Sequence, residues 1–211
     1  MIENSSNQDK IFENTNIASL TKKYNGYIAT TSFGEKIYCE KVLIATGFNW
    51  EILKCDDLCQ RFITYTIATQ PIKDFSWHNK TLIHDATSPY HYLRLLQDNR
   101  IIFDGEDTPF KMKPISEKDS YKVYEKLEKS LYELFPDLEN KIKIDYKFCG
   151  AFGITLNNLG LIGESAIDKN LLLFISCGAN GIINAMAGAK VIDDIISGKP
   201  NKLIKLFSPK R

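Results

Sequence analysis

The sequence predicts an α+β fold, and three observations predict it. Val42–Ala45 is an unbroken apolar run, the pattern of a strand buried on both faces as in a parallel sheet. Between Arg61 and Asp104 the pattern changes to alternation, with Ile63, Tyr65 and Ile67 separated by Thr64 and Thr66, which marks a larger antiparallel group. Helical periodicity appears behind Asp119 and again from Ile182 onward.

Composition excludes several classes of protein. The chain has 211 residues, 44% apolar and 25% charged, close to the globular average, so wholesale disorder is ruled out. Lys and Arg number 27 against 26 Asp and Glu. That balance offers no basic stripe for nucleic acid. Apolar stretches such as Leu171–Ile175 are far shorter than the roughly 20 residues a membrane helix needs, so no membrane span is expected. The first ten residues, MIENSSNQDK, are polar and read as a loose tail without a signal-peptide core. The odd set Cys39, Cys55, Cys59, Cys149 and Cys177 then predicts a reducing, cytoplasmic setting.

The elements follow in order. Ile11–Asn14, Ile17–Thr21, Tyr27–Thr31 and Lys36–Cys39 read as short strands of a small antiparallel ribbon, turned at Asn25-Gly26 and Phe33-Gly34. The buried strand Val42–Ala45 ends at Gly47, and Glu51–Cys59 reads as a short helix. Ile63–Ile67, Thr81–Asp85, Tyr90–Leu95 and Arg100–Asp104 read as one antiparallel sheet, with Asp98-Asn99 turning between the last two. Ser116 and Asp119 resemble a capping box ahead of a helix whose face is Val123, Leu127, Leu131 and Leu134, stopped by Pro136. Ile142–Cys149 reads as a strand, Gly150–Asn158 as a loop and Leu171–Ile175 as a short buried strand. The last helix presents Ile182, Met186, Ala189, Ile192 and Ile196 on one face, with Ile183, Ala185 and Ile195 beside it, and ends at Gly198 and Pro200.

Two places offer backbone amides to a ligand. Ala45-Thr46-Gly47 stands at the carboxyl end of a buried strand, where ligands bind in open α/β sheets. Cys177-Gly-Ala-Asn-Gly-Ile-Ile183 is a glycine-rich turn opening a long helix, whose free amides and dipole favour a phosphate or a ring carbonyl gaining negative charge. The same glycines also serve a plain strand-to-helix turn, and periodicity does not separate the two roles. Tyr90, Tyr92 and Arg94 recur at spacing two, so they share one strand face, either holding a small carboxylate or forming an ordinary amphipathic strand. Cys55 and Cys59 stand one helical turn apart, yet structural zinc wants four ligands and His78, His84 and His91 have no matching spacing. No metal site is expected, and the two thiols read as unlinked helix cysteines. His84 and His91 read as sheet-surface histidines, and the pairs Asp56/Asp57 and Asp193/Asp194 as solvated helix charges. The dinucleotide fingerprint, the phosphate loop, the nucleophile elbow and the zinc-protease motif are all absent.

Five stretches in order carry a resemblance. They are Ile11-Phe-Glu-Asn-Thr15 with Lys41-Val-Leu-Ile-Ala-Thr-Gly47; Ser88-Pro-Tyr-His-Tyr-Leu-Arg94 with Asp98-Asn-Arg-Ile-Ile-Phe-Asp-Gly-Glu-Asp107; Leu134-Phe-Pro136; Tyr146-Lys-Phe-Cys-Gly-Ala-Phe-Gly153 through Leu161-Ile-Gly163; and Gly178-Ala-Asn-Gly-Ile182 with Leu206-Phe-Ser-Pro-Lys-Arg211. Together they resemble the carboxyl-terminal part of FAD-dependent oxidoreductases of the D-amino-acid oxidase, glycine oxidase and sarcosine oxidase superfamily. The resemblance implies a partial α/β flavin domain plus an antiparallel substrate-domain sheet. It places late flavin-domain strands in residues 1–60, the substrate-binding sheet with one helix in 61–147, and the return to the flavin domain with its last helix in 148–211. It implies FAD as cofactor and oxidation of an amine or amino acid by hydride transfer to flavin. Carried over by position, Thr46 and Gly47 lie near the FAD phosphates or ribose, Gly178, Asn180, Gly181 and Ile182 face the flavin ring, and Tyr92 and Arg94 line the substrate face. No catalytic residue is assigned.

The family's opening strand, G-x-G-x-x-G turn and helix are not in this sequence, and Phe148 stands where many relatives carry Trp. The chain is therefore expected to be a carboxyl-terminal segment that is not competent alone. A separate chain with the dinucleotide-binding half, or a homo-oligomer, is the expected partner. Two readings stand beside this one: a catalytically inactive, cofactor-free domain serving binding or association, and an unrelated small-ligand module.

Overall fold

The computed structural model describes residues 11–48, 59–86, 90–110, 117–175 and 178–211. The N-terminal tail, positions 51–58 of the helix expected at Glu51–Cys59, Cys55, the Asp56/Asp57 pair, Ser116 and Cys177 lie outside these residues. In chain order the strands are β1 (Ile17–Lys23), β2 (Gly26–Thr31), β3 (Lys36–Cys39), β4 (Val42–Gly47), β5 (Cys59–Thr69), β6 (Ile83–His84), β7 (His91–Leu95) and β8 (Ile101–Pro109). Helix α1 (Glu117–Leu134) follows, then β9 (Ile144–Thr155), β10 (Leu161–Glu164), β11 (Leu171–Ile175), α2 (Gly181–Ile196) and α3 (Leu203–Phe207). The chain forms two units, one of residues 1–55, 161–175 and 182–211, the other of residues 56–160 and 176–181. No described helix is long and apolar enough to cross a membrane.

In the first unit, β1, β2 and β3 form the expected ribbon. The strand expected over Ile11–Asn14 does not form, because the chain turns there and Asn14 adopts a left-handed φ of 54°. A second sheet has the order β10-β11-β4, with β11 antiparallel to β10 and parallel to β4. Leu171, Leu172, Leu173 and Ile175 are all buried, as the unbroken apolar run of β11 requires. The same expectation is only half met by β4. Its parallel pairing is present and Ile44 is buried, but Leu43 is 44% exposed, because β4 is the last strand of its sheet.

Asp168 ties the ribbon to β11. Its carboxylate accepts hydrogen bonds from the Tyr27 hydroxyl at 2.7 Å and the Asn170 amide at 3.0 Å, and pairs with Lys22 at 2.8 Å. Those bonds, the Lys22 one foremost, hold the carboxyl well below the usual carboxylate range. Burial, and then the bond to Asp168, push the Tyr27 hydroxyl up to about 12.

Helix α2 is turned differently from its apolar pattern. Ile182, Met186 and Ile196 are 83%, 76% and 53% exposed, whereas Asn184, Gly188, Val191, Ile192 and Asp194 are buried. The cause is Gly188, where an added Cβ would stand 2.1 Å from the Phe174 ring and 2.8 Å from Ile162. The missing side chain lets α2 lie close on the sheet, so the helix buries the face that carries Gly188. Asp194 is correspondingly not a solvated charge. It is 4% exposed, pairs with Lys190 and accepts a bond from Asn201 at 2.8 Å.

The second unit is the five-stranded sheet β6-β7-β8-β5-β9, antiparallel throughout. Ile63, Tyr65, Ile67, Leu93, Ile101 and Phe103 point to one face and meet Tyr124, Leu127 and Leu131 of α1. Leu134, expected on that helix face, is 47% exposed at the helix end. Cys59 begins a strand and is not a helix cysteine. Residues 150–155 are strand where a loop is expected, because β9 stays paired with β5 as far as Thr155. Position 148, where the return to the flavin domain is expected, therefore falls inside β9. His91 is not on the sheet surface. It is 8% exposed, with Nδ1 2.7 Å from Asp85 and Nε2 3.3 Å from Glu106, which also pairs with Lys126.

Gly188→Val should lower stability by about 1–3 kcal/mol through overpacking against Phe174, read as a reduced denaturation midpoint; an unchanged midpoint would contradict the close approach. Asp168→Asn should speed hydrogen exchange of the ribbon amides at neutral pH. A depressed carboxyl stabilises the fold above its unfolded value of about 3.9 and loses that effect as pH falls through the folded value. The difference in melting temperature between wild type and Asp168→Asn should thus be full above about pH 4 and shrink below it.

Candidate functional site

Thr46 and Gly47 are the last two residues of β4, exposed, at its carboxyl end. Gly47 is the register partner of Ile175, the last residue of β11. Gly47 therefore stands beside the carboxyl end of β11, at the edge where α/β sheets receive ligands. From β11 the chain reaches a single 3₁₀ turn, Gly178–Asn180, and then α2. Gly178 has a φ of 59° and lies within the same unit as Ile154, whose Cγ2 would be 3.3 Å from an added Cβ. A side chain there would be both strained and crowded.

The first turn of α2 suits an anionic or carbonyl group. A Cβ added at Gly181 or at Gly47 would meet nothing within 4 Å, so backbone amides are open to close approach. No acidic residue stands in the first turn to neutralise the positive end of this 16-residue helix. Asn180 and Ile182 are exposed beside it. Open amides at a helix start are donors of the kind that phosphates and ring carbonyls accept from.

The open face of the five-stranded sheet is a separate locus. Tyr92 and Arg94 point away from the core, while His91, Leu93 and Leu95, which alternate with them, are buried. One register row crosses all five strands, His84 to Tyr92, Tyr92 to Asp104, Asp104 to Thr66 and Thr66 to Phe148. Arg94 lies in the next row, opposite Ile102. The rings of His84, Tyr90 and Tyr92 gather at centroid distances of 4.6–5.2 Å. Tyr90 is hydrogen-bonded to Asp107 and Tyr92, and its hydroxyl is pushed up to about 12, by burial first and then by Asp107. Asp104 was missed by sequence reasoning. Its signal was present in the alternation of Ile101, Phe103 and Gly105, which sends residue 104 to the open face. Burial, and then the charge of Asp107, push its carboxyl up to about 6. Among the described residues no group of three or more His, Cys, Asp or Glu is placed to hold a metal.

The model of the FAD dependent oxidoreductase family, DAO, matches residues 6–195. No curated protein matches the chain. Among solved structures, glycine oxidase from Geobacillus kaustophilus is 19% identical with a TM-score of 0.77, over 95% of this chain and 53% of its own. L-proline dehydrogenase from P. horikoshii is 18% identical with a TM-score of 0.73, over 93% and 53%. Glycine oxidase from Bacillus cereus ATCC 14579 is 20% identical with a TM-score of 0.71, over 92% and 53%. The chain thus shares their α+β fold and spans about half their length. Matched by the family model over nearly all of its residues, the chain belongs to the FAD-dependent oxidoreductase family DAO.

Proposed function

We propose that the chain is the carboxyl-terminal segment of an enzyme that oxidises an amine or amino acid with FAD, and that it acts only with a polypeptide supplying the dinucleotide-binding half. The observation that supports this most is the pairing of Gly47 with Ile175, which brings the ends of β4 and β11 together. Thr46 and Gly47 would approach the phosphates or ribose, and Gly178, Asn180, Gly181 and Ile182 the flavin ring. The amides of the first turn of α2 would favour negative charge on the group lying against them. FAD, when bound, supplies the hydride acceptor. On the sheet face, Arg94 would hold a substrate carboxylate and Tyr92 would flank it.

Exposed apolar surface supports the need for a partner. Ile182, Ile183 and Met186 of α2 are 83%, 70% and 76% exposed, and β4 pairs among the described strands only with β11. An open strand edge and an apolar helix face each invite another polypeptide. The same surface gives the second reading its footing, a cofactor-free domain that uses the face to associate with its own copies.

Mixed with FAD and a polypeptide bearing the dinucleotide-binding half of this family, the chain should form a complex that retains flavin absorption through gel filtration. Gly181→Trp should weaken flavin retention roughly tenfold or more, since the ring would fill the open space before α2. A chain that self-associates and retains no flavin in any mixture would favour the second reading instead.

A further inference from the structure

The two faces of the five-stranded sheet treat acidic side chains differently. On the core face each acid has a partner: Asp85 and Glu106 both bond His91, and Glu106 also pairs with Lys126. Beyond them, Asp104 and Asp107 are only partly satisfied. The Tyr92 amide bonds the Asp104 carboxylate, and Thr64 and Tyr90 bond that of Asp107. Yet Oδ1 of Asp104 and Oδ1 of Asp107 are buried and have no hydrogen-bond partner among the described residues. A buried carboxylate oxygen without a partner is costly, and a neutral side chain would fill the same place more cheaply.

The surroundings of Asp104 indicate what would relieve that cost. Asp104 is the central residue of the register row, with Tyr92 on one side and Thr66 on the other. His84, Tyr90 and Tyr92 form a cluster of three rings beside it, at mutual centroid distances of 5.2, 4.6 and 5.2 Å. Ring faces and a carboxylate both attract a cation. Arg94 is the diagonal neighbour of Asp104 across β7 and β8, a separation of about 7–8 Å for such pairs. Opposite charges at that spacing match a ligand with an anionic and a cationic end.

We propose that Asp104, flanked by His84, Tyr90 and Tyr92, selects amino acids with a basic side chain, taking the side-chain cation while Arg94 takes the carboxylate. The inference rests on the reading of this sheet face as the substrate face. Burial and Asp107 hold the Asp104 carboxyl at about 6, so its ionised form gains more from an incoming cation than a solvated carboxylate would.

The test is calorimetric titration of the chain, and of its flavin-loaded complex, with racemic lysine and racemic norleucine, which differ in the side-chain cation. Lysine should bind about tenfold more tightly or better. Asp104→Asn should abolish that preference, while Asp104→Glu, which keeps the charge, should retain it. Should Asp104→Asn fail to fold, the preference in wild type and in Asp104→Glu, set against its loss in Asp104→Ser, decides the matter. Equal binding of the two ligands to wild type, or a preference that survives loss of the charge, overturns the role of Asp104 and leaves the substrate face standing. Binding of neither ligand to chain or complex overturns both. Lysine preference in a chain that takes up no flavin in any mixture with the dinucleotide-binding half upholds the Asp104 site and counts against the oxidoreductase reading.

Discussion

The backbone of β5 is hydrogen-bonded to β8 along one edge and to β9 along the other for almost its whole length. Because side chains alternate along a strand, this double pairing assigns every residue of the sheet to one of two environments. Ile63, Tyr65 and Ile67 meet the apolar face of α1, while Thr64 and Thr66 join the open face. A slip of one residue would drive Thr66 into the core and Tyr65 out of it. The pairing with β9 shifts register between Ala68 and Thr69, and the pairing with β8 shifts between Ile63 and Tyr65, where β8 carries one extra residue, with Glu106 at a φ of 56°. That bulge brings Glu106 under His91 without disturbing the alternation on either side.

How much of this was legible depended on whether a single segment carried the signal. The strands β5, β7 and β11 announce themselves through their own side chains, and so do the turns at Asn25-Gly26 and Asp98-Asn99. The strand character of residues 150–155 was hidden, since Gly150 and Gly153 weaken strand propensity and only pairing with β5 supplies it. The orientation of α2 was hidden for the opposite reason. Periodicity counts apolar side chains, and here the deciding residue, Gly188, acts by having none. The burial of Asp194 depends on Asn201, beyond the helix altogether.

The candidate site divides along the same line. Each of its pieces, Thr46-Gly47, the Gly178–Ile182 turn and the Tyr92–Arg94 face, is a local pattern that a sequence can display. Their adjacencies are not local. Gly47 meets Ile175 only because β4 and β11 pair in parallel, and Asp104 meets Tyr92 only because β7 and β8 pair in one particular register. Charge on a sheet face is likewise unreadable until its neighbours are known, since one acid next to a histidine is structural and another next to three rings is poised for a ligand.

The bond between Tyr27 and Asp168 joins residues 141 positions apart. Most of the intervening chain is the second unit. During synthesis the ribbon and β4 emerge first and must wait, with an apolar strand edge uncovered, until β11 leaves the ribosome. The entropy of closing so long a loop would be heavy for a flexible chain, but an inserted unit that has already folded holds its own two ends and shortens the effective span. The pairing of Cys59 with Thr155 holds the first and last strands of the five-stranded sheet together at one end, so the span that β4 and β11 must close is far shorter than the sequence between them.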